Sequence, residues 1–523
     1  MPAGNSFNLQ FGAADAPAAQ GREDGPMRLL LIGDFSGREA RGQLDVAGLP
    51  DRKPVKVDVD NLDAVLRRMA PAVPQAGGGE ARFAELGDFH PDALFRRLPV
   101  FAALRSLRER LRDPVRFADA AAELMASTLA TAPAPLNEAP APLNEAPAAA
   151  SAPAPAPADP ASLLGSLLGM PAASVASASA PAAAAPAPAD AIQALIRHIV
   201  APHIVHDAMP QQAQYLASVD AATSEQMRAV LHAPAFQALE AAWRGVQFLV
   251  SRLELNEDLE LWLFDASRAE LLADVAAVGN ALPRAGVWRA LVERVVQAPG
   301  GGPWHLLAGL YGFDATAEDA GLLAALGVMA SQAGGPFVAS GSARIAGCAG
   351  FATQPDSADW QPLPPEAAVP WQALRQSAVA PWLGLVAPRF LLRLPYGRAT
   401  DEIDAFSFEE FAGSPPTDAG LWGHGALAVA LLTGLGFTNS GWQLRLGEQQ
   451  DVSDLPAWVL THDGSKQLHP VAEAYLSERA GKALLDAGLM PLIGHRHASV
   501  ARLMRFQSIA LPAQGLAALG AGG

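Results

Sequence analysis

Three stretches of this chain hold residue types that could do chemistry at the spacing chemistry needs. In "GHRHA", His495 and His497 stand two apart, and His462 and His469 precede them. If that stretch is a strand, both imidazoles face one side and could share a metal that activates water for hydrolysis. No carboxylate or cysteine is placed to complete the shell, and loop or surface histidines are the simpler reading. In "MRLLLIGDFSG", residues 27–37, an apolar run meets Gly33-Asp34 and then Gly37. A dinucleotide fingerprint needs three spaced glycines between strand and helix, and only two are present. In "ERAGKALL" a Gly-Lys pair suggests a phosphate loop, but the first glycine is missing and Ala483 stands where Ser or Thr should be. No nucleophile elbow or zinc-binding helix motif is found. His232 and His424 each sit beside an aromatic in a helical stretch, as packing histidines do. "DGSKQ" and "FSFEE" carry acidic groups without a base to pair them, so no acid/base couple is nominated.

The elements that would position such residues are legible from periodicity. "MRLLLIG" predicts a buried strand, and "KPVKVDVD" a second, with Val55, Val57 and Val59 on one face. "NLDAVLRRMAP" predicts a helix begun by Asn61 and stopped by Pro71. Residues 90–114 predict a longer helical stretch broken near Pro99, with Arg105, Arg108, Arg110 and Arg112 on a solvated face. Further on, "TSEQ" at 223–226 predicts a capping box opening a helix that carries Val230, Phe236, Leu239, Trp243, Val246 and Val250. "DLELWLFDAS", "WHLLAGLYGF", "PFVAS", "RFLLRLPYG" and "GWQLRLG" predict strands. Helices are predicted from Ser267, over "AEDAGLLAALGVMASQAG", and over "AGLWGHGALAVALLTGLG". Strands alternating with helices imply an α/β domain with a largely buried sheet.

Composition narrows the classes. Of 523 residues half are apolar and only 17% charged, with a net charge of −16, so a surface that tracks nucleic-acid phosphates over the whole molecule is excluded. The lone Cys348 allows no internal disulfide and no zinc cluster, which suits a reduced, cytosolic setting. No basic-then-apolar leader opens the chain, and "ALAVALLTGLGF" at 426–437 is too short to span a membrane. Residues 131–190 are nearly all Ala, Pro and Ser, with "APLNEAP" twice in tandem, as in a disordered tether. One island interrupts them, "ASLLGSLLGM" at 161–170, whose Leu163, Leu164, Leu167 and Leu168 form one helical stripe. It is read either as a segment that docks in a partner's groove or as casual low complexity. The organisation expected is a flexible segment 1–21, a small α/β domain 22–128, a linker 129–190, a larger α/β domain 191–512 and a flexible tail 513–523.

The order of motifs resembles a known pair of families, the small (TssB-, VipA- or ImpB-like) and large (TssC-, VipB- or ImpC-like) subunits of the type VI secretion contractile sheath. The large-subunit resemblance rests first on residues 219–250, carried by Gln226, Leu231, His232, Pro234, Phe236, Gln237, Leu239, Glu240, Trp243, Arg244 and Gly245. It continues through "GLYGFDATAED", "GGPFVAS", "WQALRQSAVAPWLGLVAPRFLLRLPYG", "FSFEEF", "LWGHGALAVA" and "GWQLRLGE", and fades near "FQSIALP". The small-subunit resemblance is shorter: "LIGDFSG", "LPDRKPVKVDVDNLDAVLRRMAP" and "FAELGDFHPDALFRRLPVFAAL", in family order.

The resemblance implies a small subunit tethered to a large one, and packing roles for Phe236, Trp243, Arg244, Arg389, Phe390, Arg393, Pro395, Tyr396, Trp422 and Trp442. It implies a structural, non-enzymatic part of a cytoplasmic machine, without cofactor, metal, nucleic acid or membrane insertion. Its partners would be itself or other sheath subunits, the inner tube, the baseplate and a ClpV-type ATPase, with the 161–170 island as a candidate for the last. The family's large subunit runs on beyond the last matching motif, so the chain is expected to be C-terminally shortened, with lattice-forming strand exchange in doubt. A shortened paralogue that caps, nucleates or regulates a true sheath is therefore a second reading. A metal-dependent hydrolase using the 462–497 histidines is a third.

Overall fold

The computed structural model of the chain describes residues 25–75, 78–129, 212–411, 420–457, 459–462 and 465–519. The segment 1–21, the linker beyond Leu129 and the 161–170 island with Leu163, Leu164, Leu167 and Leu168 lie outside the described residues. The described strands are β1 (Met27–Gly33), β2 (Val55–Val57), β3 (Ala72–Pro74), β4 (Glu80–Arg82), β5 (Leu259–Asp265), β6 (Leu306–Phe313), β7 (Phe337–Gly341), β8 (Leu383–Ala387), β9 (Phe390–Leu391), β10 (Trp422–Gly423), β11 (Asp451–Val452), β12 (Val459–His462), β13 (Ser465–Leu468), β14 (Met490–Gly494) and β15 (Ala501–Leu503). The helices named below are α1 (Leu62–Met69), α2 (Pro91–Arg97), α3 (Ala102–Arg112), α4 (Phe117–Leu129), α5 (Gln212–Leu231), α6 (Pro234–Val250), α7 (Arg268–Val278), α8 (Ala317–Ala333), α9 (Pro365–Arg375), α10 (Gly425–Ser440) and α11 (Glu478–Asp486).

Nine strands form one sheet in the order β11-β15-β14-β8-β7-β6-β1-β5-β2. The class is mixed α/β, with a smaller N-terminal and a larger C-terminal part, and the two parts share this sheet. β1 lies between β5 and β6 and runs parallel to both, pairing Leu31 with Leu263 on one side and Ala308 on the other. β2 closes the edge, antiparallel to β5. β1 is apolar apart from Arg28, and from Leu29 to Ile32 it is buried because it is covered on both faces, as strands in parallel sheets are. Leu29 and Leu31 enter one core with α6 and α10, while Leu30 and Ile32 enter the other with α8 and α9.

Local readings and structure part company at several places. "TSEQ" opens no helix: α5 runs unbroken through it, and the Thr223 hydroxyl donates back to the Val219 carbonyl at 2.7 Å. Burial of Tyr215, Val219, Ala222 and Met227 carries the helix, and the true break comes at Ala233, before Pro234 opens α6. Only two residues of "RFLLRLPYG" pair as strand, β9 with β10, and two positions on the Arg393 side chain is drawn into ion pairs with Glu240 and Glu410. "GWQLRLG" forms a short helical turn at Gly441–Gln443 instead of a strand, with Trp442 set against the rings of Phe437 and His305. β2 ends at Val57, where the Asp58 carboxylate accepts from the Asp60 and Asn61 amides and leaves Val59 exposed. The stretch expected to be a loose tail is packed as far as it is described: Leu516 and Leu519 are buried, and the Ala517 amide donates to the Pro381 carbonyl at 2.8 Å.

Candidate functional site

The glycine turn after β1 holds no phosphate cradle. The Asp34 carboxylate accepts the Arg38 and Glu39 amides at 2.9 Å each, so the turn satisfies itself. Gly37 has φ +73°, and a Cβ there would stand 2.3 Å from the Ala72 carbonyl oxygen. The glycine is required by the close approach of two backbone segments. "ERAGKALL" lies within α11, capped by the Ser477 hydroxyl on the Ala480 amide.

The histidines do not converge. β14 stops at Gly494, and His495 and His497 sit exposed in the turn that follows, His497 at φ 67°. His469 is buried, with Nδ1 2.8 Å from the Pro470 carbonyl, and His462 lies in the separate β12–β13 hairpin. Among the described residues no group of three or more His, Cys, Asp or Glu could hold a metal ion.

Among the described residues, several enclosed ion pairs lie on the seam between residues 25–129 and 212–519. At the carboxyl ends of β1 and β5, Glu270 opens α7 with a fully buried side chain. Arg52 grips both its oxygens at 2.7 and 2.8 Å, the Asp45 amide donates at 2.8 Å, and Arg38 lies 3.3 Å away. Burial pushes the Glu270 carboxyl up, but Arg52, the Ser267 and Asp45 amides and the Arg38 charge outweigh it and hold it at about 2. Arg38 also pairs with Asp265 at 2.8 Å. Thus a carboxylate of the second segment takes all but the Ser267 amide of these partners from the first.

A second cluster stands behind the seam. Arg393 is buried, donating to Glu240 at 3.0 Å and, with two nitrogens, to Glu410 at 2.7 and 3.0 Å. Arg244 reaches Glu240 at 2.6 Å and the Tyr396 hydroxyl at 3.0 Å. Glu410 also accepts the Tyr396 amide at 2.8 Å and lies 3.5 Å from His232. Burial raises its carboxyl, and Arg393, His232 and the Tyr396 amide bring it down to about 2. Burial likewise pushes the Tyr396 phenol up to about 12, which keeps it a neutral partner. This cluster pins the strap 390–411, whose outer side clasps the first segment. Asp92 at the start of α2 accepts the Asp404 and Ala405 amides at 3.1 and 2.9 Å, Phe95 meets Phe406, and His90 stands edge-on to Tyr396.

Aromatic contacts complete the seam. The Trp243 indole donates to the Phe35 carbonyl at 2.8 Å and the two rings meet edge to face at 5.6 Å. Phe236 packs against Phe83 and Phe89. Arg108, expected on a solvated face, is buried and paired with Asp220 of α5 at 2.6 Å.

Phe236, Trp243 and Tyr396 therefore touch the first segment directly, and Arg244 and Arg393 hold the strap. Pro395 is buried, Phe390 packs on Phe248, and Trp422 is buried with Leu391. Arg389 pairs with Glu473, and Trp442 is half-buried. Sequence reasoning missed Arg38, Arg52, Asp92, Asp220 and Glu270 as seam residues. The only local signal was the Ser267–Glu270 capping box, which marks a helix start and says nothing of an arginine 218 positions away.

Residues 213–510 match the family described as VipB, the EvpB/VC_A0108 tail sheath N-terminal domain, and residues 14–129 match the type VI secretion system family VipA, VC_A0107 or Hcp2. Over 343 residues the chain is 29% identical to the type VI secretion system sheath protein TssC1 of Pseudomonas aeruginosa PAO1, covering 62% of this chain and 67% of that protein. Over 104 residues it is 32% identical to TssB1 of the same organism, covering 18% of this chain. The match spans 59% of the length of TssB1.

Proposed function

The chain belongs to the type VI secretion sheath family, with a TssB-type and a TssC-type part on one polypeptide, and from this we propose that it is a non-enzymatic structural subunit that assembles with copies of itself or with other sheath subunits. The observation that carries the reading is β1, seated between β5 and β6. The two parts fold as one body, so the unit that would enter an assembly is the clasped chain. Such a subunit surrounds an inner tube on a baseplate in the cytoplasm, is recycled by a ClpV-type ATPase, and stores contraction energy in contacts between copies. Among the described residues no helix is long and apolar enough to cross a membrane.

Electron microscopy of the purified chain, alone and mixed with a separate TssB–TssC pair, tests this. Hollow tubes that incorporate the chain are expected. Discrete particles that bind the ends of tubes point to the capping or nucleating role, and particles that join neither tube nor pair overturn the reading.

A further inference from the structure

On the sheet face at the β2 edge lies a cleft of about 690 Å³. Arg28 of β1, Glu260 and Trp262 of β5, Arg52 and Lys53 before β2, and Arg294 line it, with the proline- and glycine-rich loop 298–303 as one wall. Both segments supply walls, so the cleft exists only when the chain is clasped. Nothing in the seam contacts that join the segments requires it to be open.

Four cations face the cleft against one carboxylate, and that carboxylate is already engaged. Glu260 takes Lys56 at 2.9 Å and Arg28 at 3.8 Å, and accepts the Trp262 indole at 2.9 Å. Arg28 is fixed over the Trp304 ring at 4.1 Å and donates to the Gly302 carbonyl at 2.8 Å. Arg52 is held by Glu270, and Arg294 by Asp51. Lys53 is exposed and has no ion-pair partner among the described residues. The guanidinium groups are thus each tied to a separate place, which does not make the converging fork that a compact phosphate takes. Positive charge distributed along a cleft with apolar walls suits a surface bearing several spaced carboxylates.

The geometry points to this cleft as a docking surface for the acidic surface of a second copy of the chain, an inference that rests on the assembly reading above. The charge balance supports it: the chain has 53 acidic against 37 basic residues, a net charge of −16, so a second copy brings an excess of carboxylates to a basic cleft. A cleft meeting a different surface on the next copy is a head-to-tail contact, which the rotation between copies turns into a ring or an open helix.

Isotope-labelled and unlabelled full-length chains, mixed and treated with a zero-length carbodiimide cross-linker, test the contact. The expected product is an isopeptide bond from Lys53 of one chain to an Asp or Glu of the other. The Lys53→Glu/Arg294→Glu variant should self-associate roughly tenfold more weakly in sedimentation, with its circular dichroism unchanged. Lys53→Arg should lose the cross-link and keep the association. Cross-links from Lys53 within one chain only, or unchanged association after charge reversal, overturn the inference, as does stoichiometric binding of inorganic pyrophosphate in the cleft. Tubes that persist in the charge-reversed variant defeat this contact and leave the assembly reading standing; a wild-type chain that joins no assembly defeats both.

Discussion

Arg393 shows what a single buried cation does here. Its guanidinium neutralises Glu240 and Glu410 together, and both carboxylates are almost wholly enclosed. Removing one partner of a buried pair leaves an uncompensated charge, a loss of about 3–5 kcal/mol. Arg393→Ala should therefore cut the unfolding free energy by about that amount in urea titration, and should loosen the strap 390–411 toward proteolysis first. The double variant Arg393→Met/Glu410→Leu should lose far less, since it removes charge together with its counter-charge. A second expectation concerns acid. His305 and His424 are pushed down to about 4 by burial, with Arg28 and Arg389 adding to it. Glu270 and Glu410 are held at about 2. A lowered imidazole and a lowered carboxylate have the same sign: the unfolded chain binds more protons, so stability falls as pH falls. The imidazoles act between about pH 6.5 and 4, and the carboxylates between about pH 4.5 and 2, each carboxylate contributing on the order of 3 kcal/mol at neutral pH. Melting temperature should thus begin to drop just below pH 6.5 and drop steeply below about pH 4.5; a melting temperature that is flat from pH 7 to pH 4 would falsify the assignment.

At the scale of the element, β1 is decisive because its position is paid for on both faces and both edges. Leu31 is fully buried and its neighbours in register are Leu263 and Ala308. A carboxylate there has no partner within the apolar core, so Leu31→Asp should prevent folding of both segments, not just the first. Limited proteolysis checks this: protection of residues 212–519 in that variant would show that the larger part stands without β1. The elements read well from sequence were those whose pattern is enforced locally. β1, β5, β6 and α8 carry their own apolar runs and stops, such as Gly334 in the left-handed region after α8. Those read badly were short pieces whose state depends on a partner. "GWQLRLG" has strand-forming residues but turns as a short helix in which Trp442 packs on Phe437 and His305, and Thr223 had capping chemistry inside a helix that packing prolongs.

At the scale of the molecule, the contacts across the seam include buried aromatic core contacts, with largely enclosed arginine–carboxylate pairs at 2.6–2.8 Å. An interface of this kind does not need a covalent tether to persist. A protease site placed within residues 140–150 should, once cut, leave two fragments that co-elute on gel filtration and melt together. Separation of the fragments on dilution would show that the linker, by keeping the local concentration near the millimolar range, is what holds the pair.

What the sequence by itself determined was the class of each half, the α/β alternation, the order of motifs and, through them, the family. Periodicity, stops and motif residues are written in neighbouring positions, and neighbours are what a sequence displays. It also showed, by the missing glycines and the unsupported histidines, that no nucleotide or metal chemistry could be nominated. Only the tertiary structure decided that β1 belongs at the middle of the other half's sheet, that Arg52 and Asp92 are seam residues, that Arg108 is not on a solvated face, and that a basic cleft opens beside β2. Those facts depend on pairings between residues some hundreds of positions apart. They are selected by mutual burial and charge neutralisation in the folded chain, and no spacing along the backbone encodes them.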